Sequence, residues 1–166
     1  MKAETLYIAY GSNLNLPQMA FRCPSAKVAG PGELKDYELL FRGSRRSAVA
    51  TVEPLKGSNV PVLLWTLKER DLQALDRYEG YPSFYRKEIL PVELMGKTTS
   101  AMVYIMNDGR PFGAPSDSYL NAIMEGYQSA GFDTEFLEQA VEKSIRLAQE
   151  QQAQEPEQDL FGMKWW

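Results

Sequence analysis

Apolar residues recur at every second position in a series of short runs over the first two thirds of the chain, then at helical spacing in the last third. Tyr7–Tyr10, Lys27–Gly30, Tyr37–Arg42, Ala48–Val52, Val60–Leu67, Tyr85–Leu94 and Ser100–Ile105 read as strands, with glycine, proline or polar residues at most of the joins. Pro91 cannot donate to a ladder, so its strand is expected to be bulged or to lie at an edge. Asn15 has the form of a helix cap ahead of Leu16 and Pro17. Thr66-x-x-Glu69 has the form of a capping box for a helix with Leu67, Leu72 and Leu75 on its apolar face and Gly80 as its stop. Tyr119, Leu120, Ile123, Met124 and Tyr127 make a helical stripe between Ser116 and Gly131, and Phe136, Leu137, Ala140, Val141 and Ile145 make another after an Asp133 cap. Both stripes read as core faces.

Composition narrows the class. With 166 residues and 44% hydrophobic content, the chain supports one domain with a substantial core, and no linker divides it. The domain is expected over residues 1–148. Residues 149–166 form a polar tail, with the last helix fraying near Pro156, that ends in the apolar segment Leu160–Trp166; this end is expected to dock on the domain or on a neighbouring subunit. No stretch approaches the roughly 18 consecutive apolar residues of a membrane span, and the N-terminus lacks a secretory profile. One cysteine, Cys23, permits no internal disulfide and reads as structural, so a cytoplasmic location is expected. The net charge of −4 argues against nucleic acid. The one basic cluster, Arg42, Arg45 and Arg46, reads either as a solvated loop or as a contact for an anionic substrate tail.

The chain has no histidine, which excludes histidine-dependent triads, histidine metal sites and imidazole acid–base catalysis. Candidate chemistry must come from elsewhere. In Tyr7-Ile8-Ala9-Tyr10-Gly11-Ser12-Asn13-Leu14 a short strand stops at a Gly-Ser-Asn turn and a helix follows at once. Gly11 gives the freedom to turn successive N–H groups inward, which makes either an ordinary strand–turn–helix corner or a cradle for a carboxylate or phosphate.

The second candidate region is Leu75 to Arg86. Glu79 falls in the last turn of the predicted helix, where exposed carbonyls disfavour a carboxylate, and Tyr78, Tyr81, Phe84 and Tyr85 surround it in sequence. Both effects raise its pKa. Lifting a glutamate from about 4.3 to about 6.3 disfavours its ionisation by roughly 2.7 kcal/mol, a usual amount for an acid–base residue. The alternative is a solvated Glu79 paired with Arg77 or Arg86.

Together, Tyr-Gly-Ser-Asn-Leu near the N-terminus and Leu-Asp-x-x-Glu-Gly further on resemble the gamma-glutamylcyclotransferase-like family, which includes the AIG2-like proteins. Pro24-Ser25-Ala26, Ala50-Thr51-Val52, the Val62–Leu67 strand entering the Glu79 helix, Tyr104-Ile105-Met106 and Pro115-Ser116-Asp117-Ser118-Tyr119 extend the resemblance over roughly residues 5–147. It implies an α+β fold, a small mixed β-barrel flanked by helices with the cavity at its mouth. It also implies a reaction without metal or organic cofactor. Partners are then a small γ-glutamyl substrate, with no nucleic acid and no membrane, in a monomer or homodimer.

Carried onto this chain, the resemblance places the backbone amides of Tyr7, Ile8, Ala9, Tyr10, Gly11, Ser12 and Asn13 on the α-carboxylate of a γ-glutamyl group. Glu79 matches the family's acid–base glutamate, and Tyr119 its substrate-bordering tyrosine. Tyr85 is added because an aromatic just after the glutamate turn should reach the cavity. Arg45-Arg46 departs from a polar, glycine-containing loop of some relatives, which bears on the variable part of the substrate. The implied reaction closes the γ-glutamyl group to 5-oxoproline and releases an amino acid, peptide or amine. A non-catalytic binding module with the same cavity, or removal of a γ-glutamyl protecting group from a biosynthetic intermediate, are the alternative readings.

Overall fold

The structure is a computed structural model that describes residues 4–154; the expected docking segment Leu160–Trp166 lies outside the described residues. The strands β1 (Thr5–Ala9), β2 (Lys27–Arg42), β3 (Val49–Leu67), β4 (Tyr85–Leu94) and β5 (Lys97–Met106) close into a barrel in the order β1-β3-β2-β4-β5. The barrel is mixed, because β1 meets β5 in parallel at Tyr7 and Met102 while the other pairs are antiparallel. Helices α1 (Leu16–Arg22), α2 (Glu69–Glu79), α3 (Asp117–Ala130) and α4 (Thr134–Ala153) flank it, giving the expected α+β barrel.

Runs that read as separate strands are continuous. Lys27–Gly30 and Tyr37–Arg42 are the two ends of β2, and Ala48–Val52 and Val60–Leu67 those of β3 apart from Ala48. Their register slips between Lys35 and Tyr37. There Asp36 has a φ of 62° and its Oδ1 accepts the Gly57 N–H at 2.9 Å, so the exposed polar stretch after Pro54 bulges out without ending the strand. Pro91 lies at an edge as expected, since β4 pairs with β2 only through Glu93 and Leu94.

The start of α2 differs from the Thr66 capping box. Thr66 pairs with both Leu6 and Lys27, and Leu67 with Thr5, so the ladder claims these residues. The cap falls at Lys68, whose N–H donates to Asp71 Oδ2 at 2.9 Å. Leu75 is fully buried, and α2 stops at Gly80, which has a φ of 68° as a left-handed cap requires. Asn15 caps α1 as expected, with its Oδ1 accepting the Gln18 N–H at 3.0 Å. Ser116 and Asp133 cap α3 and α4 in the same way.

The core includes Ile8, Leu34, Phe41, Val62, Leu64 and Val103, each contributing about 1.5–3 kcal/mol by leaving water. Cys23 is buried among them, and burial with the Asp71 carboxylate pushes its thiol up to about 11, which fits a structural role. No helix among the described residues is long and apolar enough to cross a membrane.

Candidate active site

After β1 the chain makes a short 3-10 turn, Ser12–Leu14, before α1. The first N–H groups of such a turn have no partner within it. Those of Ser12 and Asn13 find none elsewhere among the described residues either. The loop is held rigidly around them: Leu14 N–H donates to Gly11 O and Asn15 N–H to Ser12 O, both at 3.0 Å, and Asn15 Nδ2 reaches the Ala122 carbonyl of α3 at 2.9 Å. Gly11 itself has an ordinary negative φ of −125°. Space is tight there, since a Cβ would lie 3.1 Å from Ala50 Cβ, which would have to give slightly, and would touch the Tyr119 hydroxyl at 3.5 Å.

This loop forms one side of an inner chamber of about 20 Å³, room for about one water, walled otherwise by Tyr7, Tyr10, Ala50, Glu79, Tyr85 and Tyr119. The chamber opens into a vestibule of about 510 Å³ that shares Ser12, Glu79, Tyr85 and Tyr119 with it. The far wall of the vestibule is the Gly43–Ser47 turn together with Val49 and Phe84. The two volumes suit a ligand whose small polar head enters the chamber and whose bulk stays in the vestibule.

Unusual backbone pairing makes the chamber wall. β3 pairs with β1 only through Leu63–Leu67, so Ala50 has no strand beyond it on that side. Its N–H donates instead to the Tyr119 hydroxyl at 3.0 Å, and its carbonyl accepts from the Tyr85 hydroxyl at 2.6 Å. Tyr10 donates to the Tyr104 carbonyl at 2.7 Å, and Tyr7 accepts from Asn13 Nδ2 at 2.8 Å. These bonds satisfy buried backbone groups and fix the aromatic walls at once.

Glu79 closes the chamber. It is half-buried, makes no hydrogen bond or ion pair with a described residue, and its carboxyl is pushed up to about 7 by burial, with Arg22 pulling modestly the other way. Neither arginine offered as its partner reaches it, and the nearby Asp76 is held by other residues. Asp76 accepts from Lys87 and from the Tyr104 hydroxyl, Arg86 pairs with Glu88, and Arg77 lines the vestibule without pairing to Glu79.

Of the residues singled out in the sequence, Tyr7, Tyr10, Gly11, Ser12, Asn13, Glu79, Tyr85 and Tyr119 come together in this chamber. Ile8 and Ala9 do not. Their side chains are fully buried in the core and their backbone is committed to the ladder with Leu64 and Leu63. Arg45 and Arg46 are exposed, and Arg45 faces a separate cleft with Arg42 and Arg110. Sequence reasoning missed Arg22, and it named Tyr78 only as an aromatic neighbour of Glu79. Arg22 donates to Asn13 Oδ1 at 2.6 Å and to the Tyr78 hydroxyl at 2.8 Å, and Tyr78 in turn lies 3.0 Å from Ser12 Oγ. The network ties the last turn of α2 to the loop, and only the aromatic cluster around Glu79 hinted at it.

The family model described as gamma-glutamyl cyclotransferase, AIG2-like, matches residues 7–126, from the first chamber tyrosine through α2 to α3, and the chain belongs to that family. It is similar to the gamma-glutamylcyclotransferase of Homo sapiens, at 29% identity over 80% of this chain and 75% of that protein. The Mus musculus gamma-glutamylcyclotransferase is 30% identical with the same coverage. A solved structure of a gamma-glutamyl cyclotransferase superposes with a TM-score of 0.74 at 28% identity, covering 82% of this chain and 86% of that one. The protein is therefore an enzyme of the gamma-glutamylcyclotransferase type.

Proposed function

We propose that the enzyme cyclises the γ-glutamyl group of a γ-glutamyl amino acid, peptide or amine to 5-oxoproline, with Glu79 as its general acid and base. The observation that carries the reading is a single carboxyl, raised to about 7 by burial, that lines one small chamber together with Ser12 and Asn13, whose N–H groups have no partner among the described residues. Those N–H groups hold the substrate's α-carboxylate, which places the adjacent α-ammonium beside Glu79.

Glu79 as carboxylate takes one proton from the α-ammonium, and the freed nitrogen attacks the γ-carbonyl carbon. A carbon–nitrogen bond forms within the substrate, and the carbonyl π pair moves onto oxygen. When that pair returns, the original amide carbon–nitrogen bond breaks and protonated Glu79 gives its proton to the departing nitrogen. The ring nitrogen's second proton passes to the regenerated Glu79 carboxylate or to water, and the freed amine takes up one proton in turn and emerges as an ammonium. Because both reacting groups belong to one molecule, the protein mainly fixes the attack conformer and shuttles the proton.

The experiment is mass-spectrometric detection of 5-oxoproline from γ-glutamyl dipeptides, γ-glutamyl-amines and glutathione, with wild type and Glu79→Gln. Release by the wild type, falling at least about a hundredfold in the variant, is the expected result. Full turnover in Glu79→Gln would place the acid–base group elsewhere, and ligand binding without release would indicate a binding module.

A further inference from the structure

Hydrogen-bond direction sorts the chamber's tyrosines into two kinds. Tyr10 and Tyr85 each donate to a backbone carbonyl, which can only accept, so their protons are committed. Tyr119 accepts from the Ala50 N–H, which can only donate. Tyr7 accepts from the Asn13 amide, whose orientation is fixed because Arg22 donates to its Oδ1. Tyr7 and Tyr119 therefore each retain a hydroxyl proton with no acceptor among the described residues.

Their positions differ along the path of a ligand. Tyr7 walls only the inner chamber, on the side of the loop amides, whereas Tyr119 borders both the chamber and the vestibule, as Glu79 does. A γ-glutamyl group with its α-carboxylate on the loop runs outward past Glu79, so its γ-carbonyl lies at the junction where Tyr119 stands.

We propose that Tyr119 is a catalytic residue, its uncommitted hydroxyl donating to the γ-carbonyl oxygen as that oxygen gains charge during cyclisation. The inference rests on the cyclisation reading above. The developing oxyanion needs a donor: Glu79 carries the transferred proton at that stage and must return it to the leaving nitrogen, the loop amides are engaged by the α-carboxylate, and Ser12 Oγ is shared with the Tyr78 hydroxyl at 3.0 Å. The Ala50 N–H holds the phenol oxygen in place before substrate arrives, so the donor is preorganised. Burial, reinforced by the Glu79 carboxylate, pushes the Tyr119 phenol above its ordinary value and keeps it protonated.

Tyr85 provides a matched comparison, because Tyr119→Phe and Tyr85→Phe each remove one hydrogen bond to the backbone of the same residue, Ala50. Similar losses of thermal stability are expected. On the γ-glutamyl dipeptide that the wild type turns over best, Tyr119→Phe should lose about a hundredfold in kcat with little change in KM. Its loss should exceed that of Tyr85→Phe at least tenfold. Equal kcat losses, or a Tyr119→Phe effect confined to KM, would overturn the proposal. Should Tyr119→Phe fail to fold, 3,5-difluorotyrosine at position 119 keeps the bond from Ala50 and ionises at lower pH than tyrosine. It should add an alkaline limb to the kcat profile, and absence of that limb in active protein would also overturn the proposal. A wild type that releases no 5-oxoproline would refute the cyclisation reading itself.

Discussion

Tyr104 donates its hydroxyl to Asp76 at 2.5 Å, and Lys87 Nζ lies 2.9 Å from the same carboxyl oxygen. Lys87 and Tyr104 are direct neighbours across β4 and β5, so one cross-strand pair grips the helix residue three positions before Glu79. Positions three apart share a helix face, and the grip therefore sets the direction in which α2 presents Glu79. Asp76→Ala leaves the tyrosine hydroxyl and the ammonium without their acceptor. It should cost about 1–3 kcal/mol by thermal or denaturant unfolding and lower kcat about tenfold, with Asp76→Asn restoring much of both. Unchanged kcat in folded Asp76→Ala would show that Glu79 needs no such support.

The rate should depend on pH through Glu79. The proposed base is active as carboxylate, and burial holds its carboxyl near 7, so kcat/KM should rise with pH through an apparent pKa near 7. Arg22 favours the charged form, so Arg22→Gln should move this limb to higher pH. A limb that stays in place or moves down would remove Arg22 from the electrostatics of the site.

Much of this site was legible in the chain, for physical reasons that apply residue by residue. The Asn15 cap and the Gly80 stop are local devices and act wherever they occur, so α1 and the end of α2 could be placed. A carboxylate in a last helical turn among aromatic residues predicts its own desolvation, and Glu79 follows that logic. The Thr66 box failed because two strand partners, remote in sequence, outcompeted a local cap. The continuity of β2 and β3 was hidden by a polar bulge that a local pattern treats as a break. That Tyr119 and not Tyr85 retains its proton was beyond reach of the pattern, since it depends on the Ala50 N–H and C=O meeting these tyrosines from distant elements.

The same carboxyl should weaken the fold as pH rises from acid to neutral. Between its ordinary value of about 4.5 and its folded value of about 7, Glu79 keeps a proton in the folded state that the unfolded chain has released, so stability falls as pH rises through that window. Glu79→Gln removes the penalty. The variant should match the wild type near pH 4 and exceed it above pH 7 by about 2 kcal/mol, allowing for solvent at the chamber mouth. Denaturant unfolding at both pH values checks this, and a constant difference between the two proteins would show that Glu79 ionises freely.

Helix α3 touches the Ser12–Leu14 turn with almost no clearance. A Cβ on Gly126 would lie 2.5 Å from Leu14 Cβ and 2.7 Å from its carbonyl carbon, and Leu14 is the last residue of the turn that carries Ser12 and Asn13. Neither partner can yield cheaply, because the obstructing atoms belong to backbone and to a fully buried side chain. Gly126→Ala must therefore push α3 away from the loop or shift the loop itself. A loss of about 1–3 kcal/mol is expected, accompanied by a rise in KM that exceeds the change in kcat, since the displaced amides serve binding in the proposed reaction. The measurement is steady-state kinetics well below the unfolding temperature of the variant. A lowered stability with unchanged KM would mean that α3 moves alone and that the loop holds its shape without it.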